Sequence, residues 1–214
     1  MLFSVEKSNP LMYETYKNLS TNIQYSSETK DVKSILITSA TKSEGKSTIA
    51  ANLAYVMAKS NKKVLLIDAD LRNSSLHKLF NIKNNKGLKE IVTENLEFNK
   101  AIQNIEGNLY LMTSGATDKV NVELLSSPKF SEMLIEANKN FDYIILDSSD
   151  MLLQTDSKIL STKVDATILV IRSGKSDRNK AKLAKEELKR VNANVIGVVL
   201  NEVAHEILQE KGYI

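Results

Sequence analysis

The chain of 214 residues has no cysteine and no tryptophan, and only two prolines and seven glycines. Without cysteine it can form no disulfide and no cysteine-rich metal site, which is compatible with a cytosolic home. So few prolines and glycines leave little room for a flexible linker, and no internal repeat or low-complexity tract appears. No apolar run approaches the length of a membrane span, and the N-terminus lacks the apolar region of a signal peptide. Any membrane association is therefore expected through a partner or a basic surface. Charge of one sign is also scarce. The formal net charge is +3 and the lysines are scattered, so nucleic acid is not an expected partner. The two histidines, His77 and His205, are isolated and too few for a zinc site. What remains is a chain 42% apolar and 26% charged, the composition of a soluble globular domain, and long enough for one full core.

One stretch organises the rest: Ser39-Ala40-Thr41-Lys42-Ser43-Glu44-Gly45-Lys46-Ser47-Thr48. The apolar run Ile35–Ile37 before it reads as a buried strand. After it, Ile49, Leu53, Val56 and Met57 fall on one face of a helix. Strand, tight loop, Gly-Lys-Ser and helix form the context of a phosphate-binding P-loop. Loop N–H groups and the helix N-terminus would face the phosphates. Thr41 to Thr48 are thus candidate nucleotide contacts, with Lys46 reaching the β- and γ-phosphates and Ser47 ligating Mg²⁺. The motif is imperfect, because Ala40 stands five residues before Gly45 where a glycine is usual.

Along the chain, residues 1–10 read as irregular up to Pro10. Met12, Tyr16, Leu19 and Ile23 then mark an amphipathic helix. Its other face carries Glu14, Lys17 and Ser20, either a solvated face or a subunit contact. Five near-continuous apolar runs read as strands buried on both faces: Ile35–Ile37, Val64–Ile67, Tyr143–Leu146, Ala166–Ile171 and Val195–Leu200. Leu109–Met112 is a shorter sixth. Phe130, Met133, Leu134 and Ala137 make one helical stripe, and Ala184, Leu188 and Val191 another. Between Leu76 and Glu106 the expectation is helix and loop, with a short helix opened by Gly87. The tail from Val203 to Lys211 reads as helical, ending in a frayed Gly212-Tyr213-Ile214. The sum is a single α/β domain over residues 1–214, a doubly wound, mostly parallel sheet of the P-loop type.

Three aspartates stand at strand ends: Asp68 and Asp70 after Val64–Ile67, and Asp147 after Tyr143–Leu146. Ligands of open parallel sheets bind at carboxyl ends of strands, so these acids are expected around the phosphates. Ser47, Asp68 and Asp147 with phosphate oxygens would satisfy Mg²⁺, which keeps several waters. The structural alternative is that strand-end aspartates cap the following helix. Arg72 either contacts phosphate or ties down the Asp68–Asp70 turn. Asn201, after the last strand, either reads the adenine edge or caps the strand. Arg172 and Arg178 could approach the nucleotide or a neighbouring subunit, and the basic face from Lys175 to Lys189 reads as solvated.

Over nearly its whole length the chain resembles the cytoplasmic domain of bacterial tyrosine kinases of capsule and exopolysaccharide synthesis. The residues that carry the likeness are Ser39–Asn52, Leu65–Arg72, Ser75–Phe80, Glu123–Pro128, Phe141–Asp147 and Ile196–Asn201. The resemblance implies a Walker ATPase fold related to the Min and Par ATPases, and Mg²⁺-dependent transfer of the γ-phosphoryl group of ATP to tyrosine. It implies catalytic roles for Lys46, Asp68, Asp70 and Asp147, with Asp68 as the base. It also implies a separate membrane adaptor that recruits a cytoplasmic kinase to the inner face of the membrane. A homo-oligomeric ring would form through Glu14, Lys17 and Ser20, and Tyr213 would be an autophosphorylation target. The chain departs from the family pattern in several places. Lys42-Ser43-Glu44-Gly45-Lys46 replaces Pro-Gly-Glu-Gly-Lys, and Asp147-Ser148-Ser149-Asp150 replaces Asp-Thr-Pro-Pro. Lys17 and Ser20 stand for two arginines, and lysine cannot reproduce a bidentate arginine contact. Two other functions therefore compete with the kinase: an ATP-binding regulatory module with little kinase activity, and a partition-type ATPase. Against the latter, Thr41 stands where the partition ATPases carry a signature lysine.

Overall fold

The structure, a computed structural model, describes residues 10–26, 32–116 and 123–204. A seven-stranded sheet runs through the middle in the order β3-β4-β2-β5-β1-β6-β7. The strands are β1 Ser34–Ser39, β2 Val64–Asp68, β3 Ile102–Glu106, β4 Leu109–Met112, β5 Tyr143–Asp150, β6 Ala166–Arg172 and β7 Val195–Asn201. Every neighbouring pair is parallel except β3 with β4. The expected strands are all present, and the order matches a doubly wound sheet in which β1 sits between strands reached from either side.

On one face, α1 (Pro10–Gln24) lies over α2 (Lys46–Lys59), which packs on Ile35, Ile37, Leu66 and Ile145 of the sheet. Here α2 departs from the one-faced helix expected of it, because Ile49 to Ala58 are buried all round. Its alanines let sheet and α1 approach from opposite sides, and Tyr16 and Ile23 of α1 complete the cover. Asn52 on α2 donates to the Tyr16 hydroxyl at 3.3 Å. Pro10 begins α1 rather than ending an irregular segment, because the first helical position needs no N–H donor.

On the other face, α4 (Leu88–Glu94), α5 (Phe98–Ala101), α6 (Glu123–Ser126), α7 (Pro128–Asn140) and α8 (Asp156–Ser161) cover Leu36, Leu65, Ile67, Ile144 and Leu146. The expected stripe of Phe130, Met133, Leu134 and Ala137 is buried on α7, whose N-cap Ser127 accepts from the Phe130 N–H at 3.2 Å. A short α3 (Leu76–Leu79) follows β2, and α9 (Arg178–Arg190) packs Ala184 and Leu188 on Leu169.

Two expectations need correction. The segment before Glu106 is not helix and loop throughout, since β3 forms there as an antiparallel edge. No residue of β3 is fully buried, and its polar Gln103 and Asn104 mask it in an apolar count. Gly107, at φ +54°, turns it into β4. The run Val195–Leu200 is not buried on both faces either: β7 is the opposite edge, with Val198 and Leu200 each more than half exposed. Among the described residues no helix is long and apolar enough to cross a membrane.

Candidate active site

Residues Ala40–Gly45 link β1 to α2, and three distant segments hold the loop in shape. Glu44 is buried and turned inward; it accepts from the Thr41 N–H at 3.0 Å and from the Ser176 hydroxyl. The Asn201 amide donates to the Glu44 carbonyl at 3.0 Å, and Arg172, paired with Glu202, donates to the Ser43 carbonyl at 3.3 Å. Glu44 was expected at the nucleotide; its carboxylate is instead a brace behind the loop. Asn201 is likewise the last residue of β7 and spends its amide on the loop. By contrast, the N–H groups of Lys42, Ser43, Glu44 and Gly45 have no protein acceptor among the described residues. No side chain caps α2, and its first turn carries no acid. Free donors, an uncompensated helix N-terminus and the Lys46 ammonium together make an anion site.

Gly45 is required twice over. Its φ is +93°, and a Cβ there would lie 2.1 Å from the Asn201 amide nitrogen. Ser43 is left-handed too, at φ +61°, where the sequence lacks the glycine its resemblance leads one to expect. A left-handed non-glycine residue costs on the order of 1–2 kcal/mol. Ser43→Gly is accordingly expected to leave stability within about 1 kcal/mol, because relief of strain offsets the greater freedom of glycine when unfolded. Ser43→Val should lose about 1–2 kcal/mol more and weaken ATP binding, because a β-branched residue resists this conformation. Urea unfolding and an ATP titration of both variants check this.

The acids come together through strand register. Asp68 on β2 is the registered partner of Asp147 on β5. Matched residues of parallel neighbours point to the same face, and Leu66 and Ile145, two positions earlier, face α2. Both carboxylates therefore lie beneath the start of α2. The charge environment agrees. Burial holds the Asp147 carboxyl well above the usual carboxylate range, the Asp68 and Asp70 charges add to it, and the Ser47 hydroxyl and Lys46 ammonium oppose it. Burial likewise pushes Asp68 up to about 7, against the backbone donors of Leu76 and Ser75. Those donors, each 3.0 Å from Oδ2, make Asp68 a cap for α3. The capping alternative thus holds for one oxygen of Asp68. The other oxygen, and both oxygens of Asp147, are buried with no hydrogen bond of ordinary geometry, the Ser47 hydroxyl lying near Asp147 without completing one.

Asp70 accepts from the Asn73 N–H at 2.9 Å. Arg72 reaches back to the sealed Asp156, with Nε 3.7 Å from Oδ2, and so ties this turn to α8. The Ser75 hydroxyl donates to the Ser47 hydroxyl at 2.9 Å. Ser75 lies in the Ser75–Phe80 segment that carries the family likeness but is given no role there, and nothing local in the sequence marks Asp156 or Ser176. Glu14 and Lys17 pair with each other at 3.1 Å on exposed α1, with Ser20 half-buried beside them. Thr48 and Lys42 are exposed. Tyr213 and His205 lie outside the described residues.

Three orphaned carboxylate oxygens beside a hydroxyl fit a hard divalent cation. Among the described residues no three carboxylate or imidazole side chains enclose an ion by themselves. That suits Mg²⁺, which takes one or two carboxylates and fills its other positions with water and phosphate.

Comparison with known proteins agrees with this geometry. Residues 32–195 match the family described as an AAA domain, which makes the core a nucleotide-binding domain. Tyrosine-protein kinase YwqD of Bacillus subtilis is 38% identical over 213 residues, spanning 99% of this chain and 90% of that one. The crystal structure of the chimerical protein CapA2B2 superposes with a TM-score of 0.89 at 29% identity, covering 94% of this chain and 90% of that one. The kinase domain of Escherichia coli tyrosine kinase ETK does so at 0.86 and 31%, covering 95% and 82%. The MinC:MinD complex of Aquifex aeolicus is more distant, at 0.68 and 26% over 84% and 72%, and places the fold beside the Min ATPases. A P-loop braced from β6 and β7, an acid pair in register beneath α2, and this likeness along nearly the whole of YwqD lead to one conclusion: the chain belongs to the bacterial protein tyrosine kinases.

Proposed function

We propose that the chain transfers the γ-phosphoryl group of ATP to protein tyrosine in the control of capsular or exopolysaccharide synthesis. The observation that carries this is the registered, orphaned pair Asp68–Asp147 facing the first turn of α2. Thr41 to Thr48 would line the triphosphate, with the free loop N–H groups and Lys46 taking its charge. Ser47, Asp68 and Asp147 would hold Mg²⁺, which when bound neutralises charge on the transferring group. Phosphoryl transfer needs positioning and charge compensation more than covalent chemistry, and both are features of this loop. A tyrosine hydroxyl, with an ordinary pKa of about 10, has to lose its proton to attack. Asp68 is our candidate to accept it in the arrangement where Ser47 and Asp147 carry the ion directly and Asp68 reaches it only through water: one oxygen is fixed on α3 and the other is left for the proton. Asp70 supports the turn that carries it.

Several parts of this proposal concern assembly. A separate membrane adaptor would bring the kinase to the inner face of the membrane; the name CapA2B2, a chimera, supports a two-part arrangement. Glu14, Lys17 and Ser20 would form the contact between subunits, and Tyr213 would be a target of autophosphorylation.

The test is transfer of label from γ-labelled ATP to tyrosine in the presence of an adaptor fragment. Phosphotyrosine that requires Mg²⁺ and Lys46 supports the kinase. Tight ATP binding without phosphotyrosine would instead leave a regulatory module, which the strained Ser43 and the altered Ser148-Ser149 segment favour. Hydrolysis stimulated by DNA or membrane without labelled tyrosine would indicate a partition-type ATPase.

A further inference from the structure

Beside the acid pair opens a cavity of about 630 Å³ lined by Arg72, Asn73, Ser74, Ser75, His77, Lys78, Asn84 and Ala116. It adjoins the active site at Ser75, whose N–H donates to Asp68 and whose hydroxyl donates to Ser47. Its floor is fixed. The Asn84 side chain bridges Ser74, Ser114 and the Gly115 N–H, and Lys89 holds the Ala116 carbonyl at 2.8 Å. Its charge is one-sided. Among the described residues no carboxylate lines it, although Glu90 accepts from the Ala116 N–H behind it and Asp156 pairs with Arg72; between Leu71 and Lys89 the chain also carries Lys78, Lys83, Lys86 and Lys89 with no aspartate or glutamate. Lys78 is exposed and has no ion-pair partner among the described residues. Lys83 and Lys86, exposed, flank the lining residue Asn84 in the chain. His77 adds polarity but little charge at neutral pH, since burial and Lys78 lower its pKa.

We infer that this cavity is the acceptor groove, and that it selects tyrosines flanked by aspartate or glutamate. The inference rests on the kinase reading above and names its substrate class. A volume of this size accommodates a phenol ring and its neighbours. The ring hydroxyl would enter past Ser75 toward Asp68, while flanking carboxylates meet Lys78 and the cationic wall beyond it. Such a surface attracts acidic chains and repels basic ones, and its effect weakens with salt.

Two measurements on the full chain test this. The first is fluorescence anisotropy of three labelled peptides in the presence of a nonhydrolysable ATP analogue and Mg²⁺. The peptides carry a central phenylalanine in place of tyrosine and differ only in flanking glutamate, glutamine or lysine. The glutamate peptide is expected to bind about tenfold tighter than the glutamine one, and the lysine peptide weakest. Lys78→Ala should reduce the glutamate preference about threefold, and Lys78→Glu should abolish or invert it, while ATP affinity stays unchanged in both. The second measurement is phosphorylation of the matching tyrosine peptides, with kcat/KM expected in the same order. Equal binding of the three peptides, or a preference that ignores residue 78, overturns the groove whatever the turnover. A glutamate preference that follows residue 78 supports the groove even where no tyrosine is labelled; that second result would overturn the kinase reading alone.

Discussion

Replacing Lys46 with methionine is expected to cut phosphotyrosine formation by at least about a hundredfold. Lys46 opens α2 at the point where no side chain caps the helix and the loop N–H groups are free. It pulls the Asp147 carboxyl back toward its ionised form. Its removal strikes twice. The triphosphate loses a point charge at the position where negative charge gathers, and the acid pair loses its nearest compensation. Methionine keeps the length and apolar character of the lysine stem, so α2 should remain packed against Ile37 and Ile145. Labelled ATP, an adaptor fragment and an anti-phosphotyrosine readout measure the loss. Thermal unfolding of the same preparation should show the fold intact. Undiminished labelling of tyrosine in this variant would remove the loop from the mechanism.

Asp147→Asn is expected to stabilise the nucleotide-free protein while disabling it. The wild-type pair is two carboxyls, registered opposite each other, buried, and each held above the ordinary carboxylate range. Asp68 titrates at about 7 rather than 3.8, so between those values the folded protein holds a proton that the unfolded chain releases. The contribution of this group to stability is therefore fully present below about pH 4 and lost as pH rises through 7. Without nucleotide, the wild-type melting temperature should fall between pH 5 and pH 8. An amide at residue 147 removes the second buried carboxyl, whose own raised pKa adds to the fall, and can donate a hydrogen bond to Asp68. The fall should flatten, and at pH 8 the variant should melt at least about 3 °C higher, the equivalent of about 1 kcal/mol for a chain of this length. The added stability comes at the cost of the cation site. Mg²⁺ with ATP should raise the wild-type melting temperature markedly, and the magnesium-dependent part of that rise should disappear in the variant. A variant that melts lower than wild type at pH 8, or keeps the full magnesium effect, contradicts this account of the pair.

What was legible in the sequence follows from what is local. Thr41 to Thr48 announced a phosphate loop because its chemistry lies within one turn between a strand and a helix. The strands near the site were legible because β1, β2 and β5 are buried on both faces and so read as unbroken apolar runs. β3 was not, because it is an antiparallel edge with no fully buried residue and a polar Gln103-Asn104 pair at its centre. The all-round burial of α2 also escaped, since it depends on Tyr16 and Ile23 arriving from a separate helix. Within the site, strand ends marked Asp68 and Asp147 as candidates, but only register showed that they oppose each other. The brace behind the loop was hidden for the same reason: Glu44 and Asn201 are 157 residues apart. A glutamate in a P-loop reads as a nucleotide contact until its partners from β6 and β7 are in place.

Crystals grown with Mn²⁺ and a nonhydrolysable ATP analogue test the central claim most directly, because manganese substitutes for magnesium and reveals itself by anomalous scattering. The account predicts one ion bound to the Ser47 hydroxyl and the phosphates, with Asp147 touching it directly or through one water and Asp68 alongside. An ion seated away from both carboxylates, with the triphosphate nonetheless lying along Thr41–Thr48, would contradict it.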